Sequence, residues 1–414
     1  MECLEAGVFR ADIPTKFALV PSALQQLIDH IDRDLTFAIE YEYDYERSAC
    51  LNYDEVRQQI VASLEMLRDA PLREEPAVIY HLDVGAMYPN IILTNRLQPS
   101  AIVSQHDCAA CVFNRADSNC KRPMTWTWRG EYSPAGQAEY QSVKRQLSYE
   151  KVTDKDGAVR PFNDIGEKDQ SRLTKARLKT YASKVYKKTK VTETVDRVDT
   201  VCMRENNFYV NTVQTFRDRR YEYKVATKEW KGKKQAAEKM GDVVGRKAAE
   251  DKETLMDSLQ LAHKCILNSF YGYVMRKGAR WRSMEMAGIV TYTGAQLIKQ
   301  ARELVEQVGR PLELDTDGIW CILPASFPQD FKIKVHGKPE EGGGVKTLHL
   351  GYPCAMLNAD VHERYTNHQY QDLDGKVTSR QYKTRSEGSI FFELDGPYKV
   401  RGKREESTDM RNQR

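Results

Sequence analysis

The chain has 414 residues, enough for two or three domains and a sizeable core. Hydrophobic residues make up 41% and charged residues 29%, the balance of an ordinary soluble globular protein. No run approaches the ~20 apolar residues of a membrane span, so no membrane partner is expected. The start, MECLEAGVFR, lacks the apolar stretch of a secretion signal. Nine cysteines then read as thiols or metal ligands and not as disulfides. The net charge of +4 is small but uneven. Residues 171–190 hold eight Lys or Arg and no acid, and residues 217–252 hold twelve basic against seven acidic residues. Such stretches suit a polyphosphate partner, although a solvated helical face explains one isolated run equally well.

Along the chain, residues 20–70 carry apolar positions at three- and four-residue steps and predict helices, with Ser22 and Asn52 as N-caps. AVIYHLDV (77–84) is β-branched and apolar, and predicts a strand closed by an acid and the turn signal YPN. Residues 104–203 are mixed, Cys-bearing and basic, and residues 205–275 read as largely helical. RPLELDTDGIWCIL (310–323) predicts a hairpin, two apolar runs about a turn ending in Asp-Gly. The remainder is expected to alternate short strands and turns, and RGKREESTDMRNQR to be disordered. The pattern is mixed α+β without regular βαβ alternation.

Asp83 ends the first strand, and Asp315 and Asp317 sit at the hairpin turn, where period-two spacing sends both to one side. Acids at the ends of apolar strands are costly to desolvate unless something positive lies between them. A pair of Mg²⁺ ions held by carboxylates and substrate phosphates would meet that need. A single Asp in a loop is more often turn chemistry, and the combination is what counts. Lys264, Asn268 and Tyr271, spaced i, i+4, i+7, share one helical face, a stripe of cation, amide and ring suited to a nucleotide. Arg220 and Lys224 form a second basic pair on the preceding helix. Cys108 and Cys111 form C-x2-C, followed by Cys120 and Cys202, a set that fits tetrahedral zinc, an iron–sulfur cluster or free buried thiols.

Three stretches in order carry a resemblance. HLDVGAMYPNI (81–91), KCILNSFYGY (264–273) and LDTDGIW (314–320) are similar to the polymerase motifs of family B DNA polymerases. NRLQPSAIV, FRDRRYEYK and FFELDGPY extend the likeness to a replicative branch of that family, from about residue 5 to residue 399, more loosely over 153–172 and 333–347. The resemblance implies an antiparallel palm with helices, at 76–113 and 276–400, and helical fingers at 204–275. It also implies a helical segment over 1–75, a processivity insertion with a cysteine-cluster region at 114–203, and a tail at 401–414.

The implied activity is template-directed DNA synthesis, moving dNMP from dNTP to a primer 3′-hydroxyl in nuclear replication. Asp83, the Val84 carbonyl and Asp317 would bind two Mg²⁺, with Asp315 beside the primer terminus. Arg220, Lys224 and Lys264 would grip the triphosphate, with Lys264 also catalytic. Asn268 and Tyr271 would line the nascent base pair, and Tyr88, backed by Met87, would be a steric gate against a ribose 2′-hydroxyl. Lys187, Lys188 and Lys190 would touch duplex backbone. Cys108, Cys111, Cys120 and Cys202 would hold a [4Fe–4S] cluster, with Zn²⁺ as the alternative; spacing does not choose. Primer-template DNA, dNTP and accessory subunits are the implied partners. The family's exonuclease and thumb find no counterpart in this sequence, which predicts a fragment with weak, distributive synthesis. A silent fragment that binds nucleic acid and a metal cluster is the alternative.

Overall fold

The computed structural model describes the backbone of residues 2–5, 8–10, 14–153, 157–338, 344–375 and 381–398. The tail at 401–414 lies outside the described residues. The chain divides into two compact units, one of residues 1–124 and 199–414, the other of residues 125–198.

The first unit is built on a four-stranded antiparallel sheet. Its strands are β1 (Ala77–Val84), β2 (Arg310–Leu314), β3 (Gly318–Pro324) and β4 (Phe392–Tyr398), in the order β2-β3-β1-β4. Leu82 and Val84 are buried in β1, while His81 and Asp83 point to a more open face. The alternation follows from the two-residue repeat of a strand. Around the sheet lie α1 (Met87–Thr94), α2 (Phe208–Met240), α3 (Val243–Val274), α4 (Met284–Val308) and α5 (Tyr352–Tyr365). Helix α4 fills the core with residues such as Ile289, Val290, Leu297, Ala301 and Val305. Asn358 on α5 clamps β4: its amide donates to the Phe392 carbonyl at 3.2 Å, and its carbonyl accepts from the Phe392 N–H at 2.6 Å.

Helices α2 and α3 form a long hairpin. Gly241, at φ 72°, ends α2 in the left-handed conformation that a glycine adopts without strain. Asp242 then caps α3 by accepting from the Gly245 N–H at 2.9 Å. Lys234 on α2 bridges Glu250 and Glu253 on α3 at 3.1 and 3.2 Å. Buried residues are confined to the root of α2 (Tyr209, Val210, Val213) and mainly to the end of α3 (Leu267, Val274).

The second unit has its own core, formed by Val143, Leu147, Phe162, Leu178 and Ala182. Helix Glu167–Val185 contributes Leu178 and Ala182 and turns its basic residues outward. Arg197 lies over the Trp126 and Trp128 rings at 5.5 and 5.2 Å.

Several local expectations are corrected. The first helix is capped by Val20 with Pro21 as its first residue, so Ser22 lies inside it; the fixed φ of proline makes it the natural opener. Asn52 does precede helix Tyr53–Asp69, but its side chain bonds the Lys332 carbonyl and Lys334 N–H across the fold and not its own helix. YPN is no turn but the first part of α1. Helices α4 and α5 stand where short strands and turns were expected.

Candidate active site

The hairpin β2–β3 brings its turn to the end of β1. Gly318 pairs with Asp83 in register, and the Val84 N–H donates to the Asp317 carbonyl at 2.7 Å. Gly318 is required by close approach: a Cβ there would sit 2.7 Å from His81 Nε2 and 3.2 Å from Asp83 Oδ1. Asp83 and Asp317 are therefore neighbours because of the backbone, whatever their side chains do.

The two acids open into a cleft of about 100 Å³ lined by Asp83, Val84, Ala86, Met87, Tyr88, Pro89, Arg220, Lys264, Leu267, Asn268 and Asp317. Eight of these are residues the sequence singles out. Ala86, Pro89 and Leu267 are not among them. Ala86 is held at φ 46°, a strained conformation for a non-glycine residue, and it serves as the N-cap of α1 that sets Met87 and Tyr88 into the cleft. Arg220 reaches in from α2, its Nε buried without a hydrogen-bond partner among the described residues. Lys264 and Asn268 come from α3. A carboxylate floor with cations opposite is a site for an anion that brings its own counter-cation.

Electrostatics agree with that geometry. Burial first, and then the charge of Asp317, push the Asp83 carboxyl up to about 6, with Glu393 and Asp395 adding to the shift and His81 opposing it. The Tyr88 hydroxyl is raised by burial and then by Asp317 and Asp315, which places its ring near the acids. Burial, with a contribution from Tyr88, pushes the Tyr271 hydroxyl up to about 12.

Three expected members stand apart from the lining. Asp315 is exposed at the turn, its carboxylate accepting from the Thr316 N–H at 2.6 Å. Tyr271 stacks on Tyr88 with ring centroids 4.5 Å apart. Lys224 is paired with Glu393 at 2.9 Å. Glu393 is the acid that sequence reasoning missed; FFELDGPY was its one signal, and nothing there marks the Glu as part of a site.

Among the described residues no three His, Cys, Asp or Glu side chains form a group able to hold a metal ion. For Mg²⁺ the donor set still fits, because that ion is commonly held by one or two carboxylates and completed by water and substrate phosphates. The backbone holds the four cysteines two by two. The Cys111 N–H donates to the Cys108 carbonyl at 3.1 Å, and the Met203 N–H donates to the Cys120 carbonyl at 2.8 Å, beside Cys202. Burial raises the Cys202 thiol, with Cys120 adding to the shift and the N–H groups of Arg204 and Glu205 opposing it as hydrogen-bond donors to the sulfur. Among the described residues the two pairs are not gathered into one cage. Lys187 and Lys188 are exposed in the second unit, and Lys190 pairs with Glu131.

Residues 231–335, which span the end of α2, all of α3 and α4 and the Asp315–Asp317 turn, match the family model described as DNA polymerase family B. The chain carries a family B DNA polymerase domain. Relatives resemble this chain far beyond those residues. It is 53% identical over 405 residues to a DNA polymerase epsilon catalytic subunit of Arabidopsis thaliana, covering 97% of this chain and 18% of that protein. Its namesake from Debaryomyces hansenii is 52% identical over 402 residues, again 97% of this chain and 18% of the relative. The one from Dictyostelium discoideum is 50% identical over 403 residues, 96% of this chain and 16% of the relative. The chain thus spans less than a fifth of the length of these relatives. Its mixed α+β architecture, with an antiparallel sheet flanked by helices, is consistent with a fragment of a family B polymerase. No helix among the described residues is long and apolar enough to cross a membrane.

Proposed function

We propose that the chain carries the nucleotidyl-transfer centre of a DNA-directed DNA polymerase, moving dNMP from dNTP to a primer 3′-hydroxyl. The observation that carries this reading is one cleft in which Asp83 and Asp317 face Arg220, Lys264 and Asn268, supplied by separate stretches of chain. Asp83 and Asp317, with the Val84 carbonyl, would hold the divalent cations. Bound there, two Mg²⁺ supply positive charge to the attacking and leaving oxygens of an in-line displacement.

The chain's own residues do the remaining work. Lys264 and Arg220 take triphosphate oxygens and offset charge that grows in the transition state. Asn268 borders the incoming nucleotide. Tyr88 is held against Tyr271 at its face and occupies the space a ribose 2′-hydroxyl would need; a stacked ring does not move aside without losing that contact. Asp315, exposed at the turn, is free to face a primer terminus. Cys108, Cys111, Cys120 and Cys202 are assigned to a [4Fe–4S] cluster or to Zn²⁺, which requires the two thiol pairs to close on one centre. The relatives' name, DNA polymerase epsilon catalytic subunit, supports primer-template DNA and dNTP as partners, and nuclear replication alongside accessory subunits is proposed with them.

Primer extension by the 414-residue chain tests the central claim. The chain is expected to extend a primer with Mg²⁺ at low salt, and Asp317→Asn to lower the rate by at least about a hundredfold, as removal of a charge-stabilising group does. Extension that survives Asp317→Asn would falsify the assignment of the centre. No extension by the unaltered chain, with DNA still bound, would favour the silent-fragment reading.

A further inference from the structure

Lys224 lies one turn beyond Arg220 on the same face of α2, yet the two cations are in different states. Arg220 lines the cleft. Lys224 donates instead to Glu393 on β4 at 2.9 Å, 169 residues away in sequence. Glu393 stands directly across from Asp83 in the β1–β4 register. Space for its carboxylate depends on Gly85, where a Cβ would come within 3.0 Å of Glu393 Oε1 and 2.9 Å of the Phe391 ring. Two turns earlier Arg217 makes a parallel attachment, donating to Ser389 Oγ at 3.1 Å. Helix α2 is thus fastened to the segment leading into β4 at 217 and to β4 itself at 224, with Arg220 open to the cleft between them.

The side chains of Lys224 and Glu393 are 38% and 36% exposed. An ion pair that exposed is weak and exchanges readily for a stronger partner. A triphosphate in the cleft presents several negative charges to Lys224, against one on Glu393. Release of Lys224 then leaves the Glu393 carboxylate unneutralised beside Asp83, where positive charge is most in demand.

Resting on the nucleotidyl-transfer reading above, we propose that the Lys224–Glu393 pair is a latch that nucleotide opens. Before nucleotide arrives it holds α2 to β4 and keeps Lys224 from the cleft. The triphosphate takes the ammonium, and the freed carboxylate raises the demand for a divalent cation on the floor of the site. Glu393 is accordingly a positioning residue, acting on substrate through Lys224.

Binding of dATP in EDTA to the 414-residue chain separates this from simpler accounts, because no cation then joins the binding step. Glu393→Asp keeps the charge but shortens the arm by one methylene. Both Glu393→Asp and Glu393→Gln are expected to tighten dATP several-fold. Lys224→Gln is expected to weaken it, and at least threefold more in the Glu393→Gln background than in the unaltered chain. Tightening by Glu393→Gln alone would show a general charge effect and overturn the latch. So would strict additivity of the Lys224 and Glu393 changes with dATP still bound, which leaves the polymerase reading intact. A chain that binds no dATP overturns both.

Discussion

At Asp83 burial and the neighbouring Asp317 act in the same direction, and the result is a carboxyl that titrates near 6 where an isolated one titrates at 3.8. The folded protein therefore favours the protonated form. Its contribution to stability is fully present below pH 3.8 and is lost as pH rises through about 6. A divalent cation must displace that proton at low pH and meets a bare carboxylate at high pH. Mg²⁺ or Mn²⁺ affinity, measured by calorimetry on the chain without DNA, is expected to rise about tenfold per pH unit up to about 6 and to level off above it. In Asp83→Asn the rise should vanish. An affinity flat between pH 5 and 7 in the unaltered chain would remove Asp83 from the cation site. This residue, Asp317 and Lys264 were legible in the sequence because a charged side chain beside an apolar run is conspicuous. Glu393 was not, because its significance lies in register with β1 and in reach to Lys224, and neither is local.

At the level of elements, most strands and helices with a clean period declared themselves. β1, the β2–β3 hairpin and the α2–α3 helices follow from alternation, turn chemistry and basic amphipathic spacing. Helix α4 was missed although its period was there to read: Thr291, Ala295, Lys299, Arg302 and Glu306 form an exposed stripe opposite the buried Ile289, Val290, Leu297, Ala301 and Val305. YPN misled for a different reason: proline opens a helix as well as a turn, and the left-handed Ala86 ahead of it selects the helix. The basic helix Glu167–Val185 and the lysines after it make a separate claim. Lys187 and Lys188 are exposed and Lys190 is already paired with Glu131. If these residues meet duplex phosphates, replacing all three with Gln should lower the slope of log K against log salt by about two, since Lys190 has less charge to offer. Fluorescence anisotropy across a salt series reads this directly, and an unchanged slope assigns the lysines to a solvated face.

For the whole molecule, the two units have separate cores, while the thiols of the proposed cluster come from both flanks of the second unit's segment. A metal bound there ties the chain on either side of that segment together, so its loss should be felt in stability as well as content. Anaerobically purified protein is expected to carry iron with charge-transfer absorption, or zinc without it, and chelation should lower the thermal midpoint. Protein free of both metals, or a midpoint indifferent to chelation, would return the four cysteines to simple thiols. Residue order was enough to establish the chemistry on offer: which acids, cations and rings the chain carries, and the local periods that make strands and helices of the segments bearing them. Which of those groups share a cleft was left to long-range packing. Arg220 opens onto it while Lys224 answers to Glu393, because contacts between residues far apart in the chain depend on register and packing, and no local pattern encodes them.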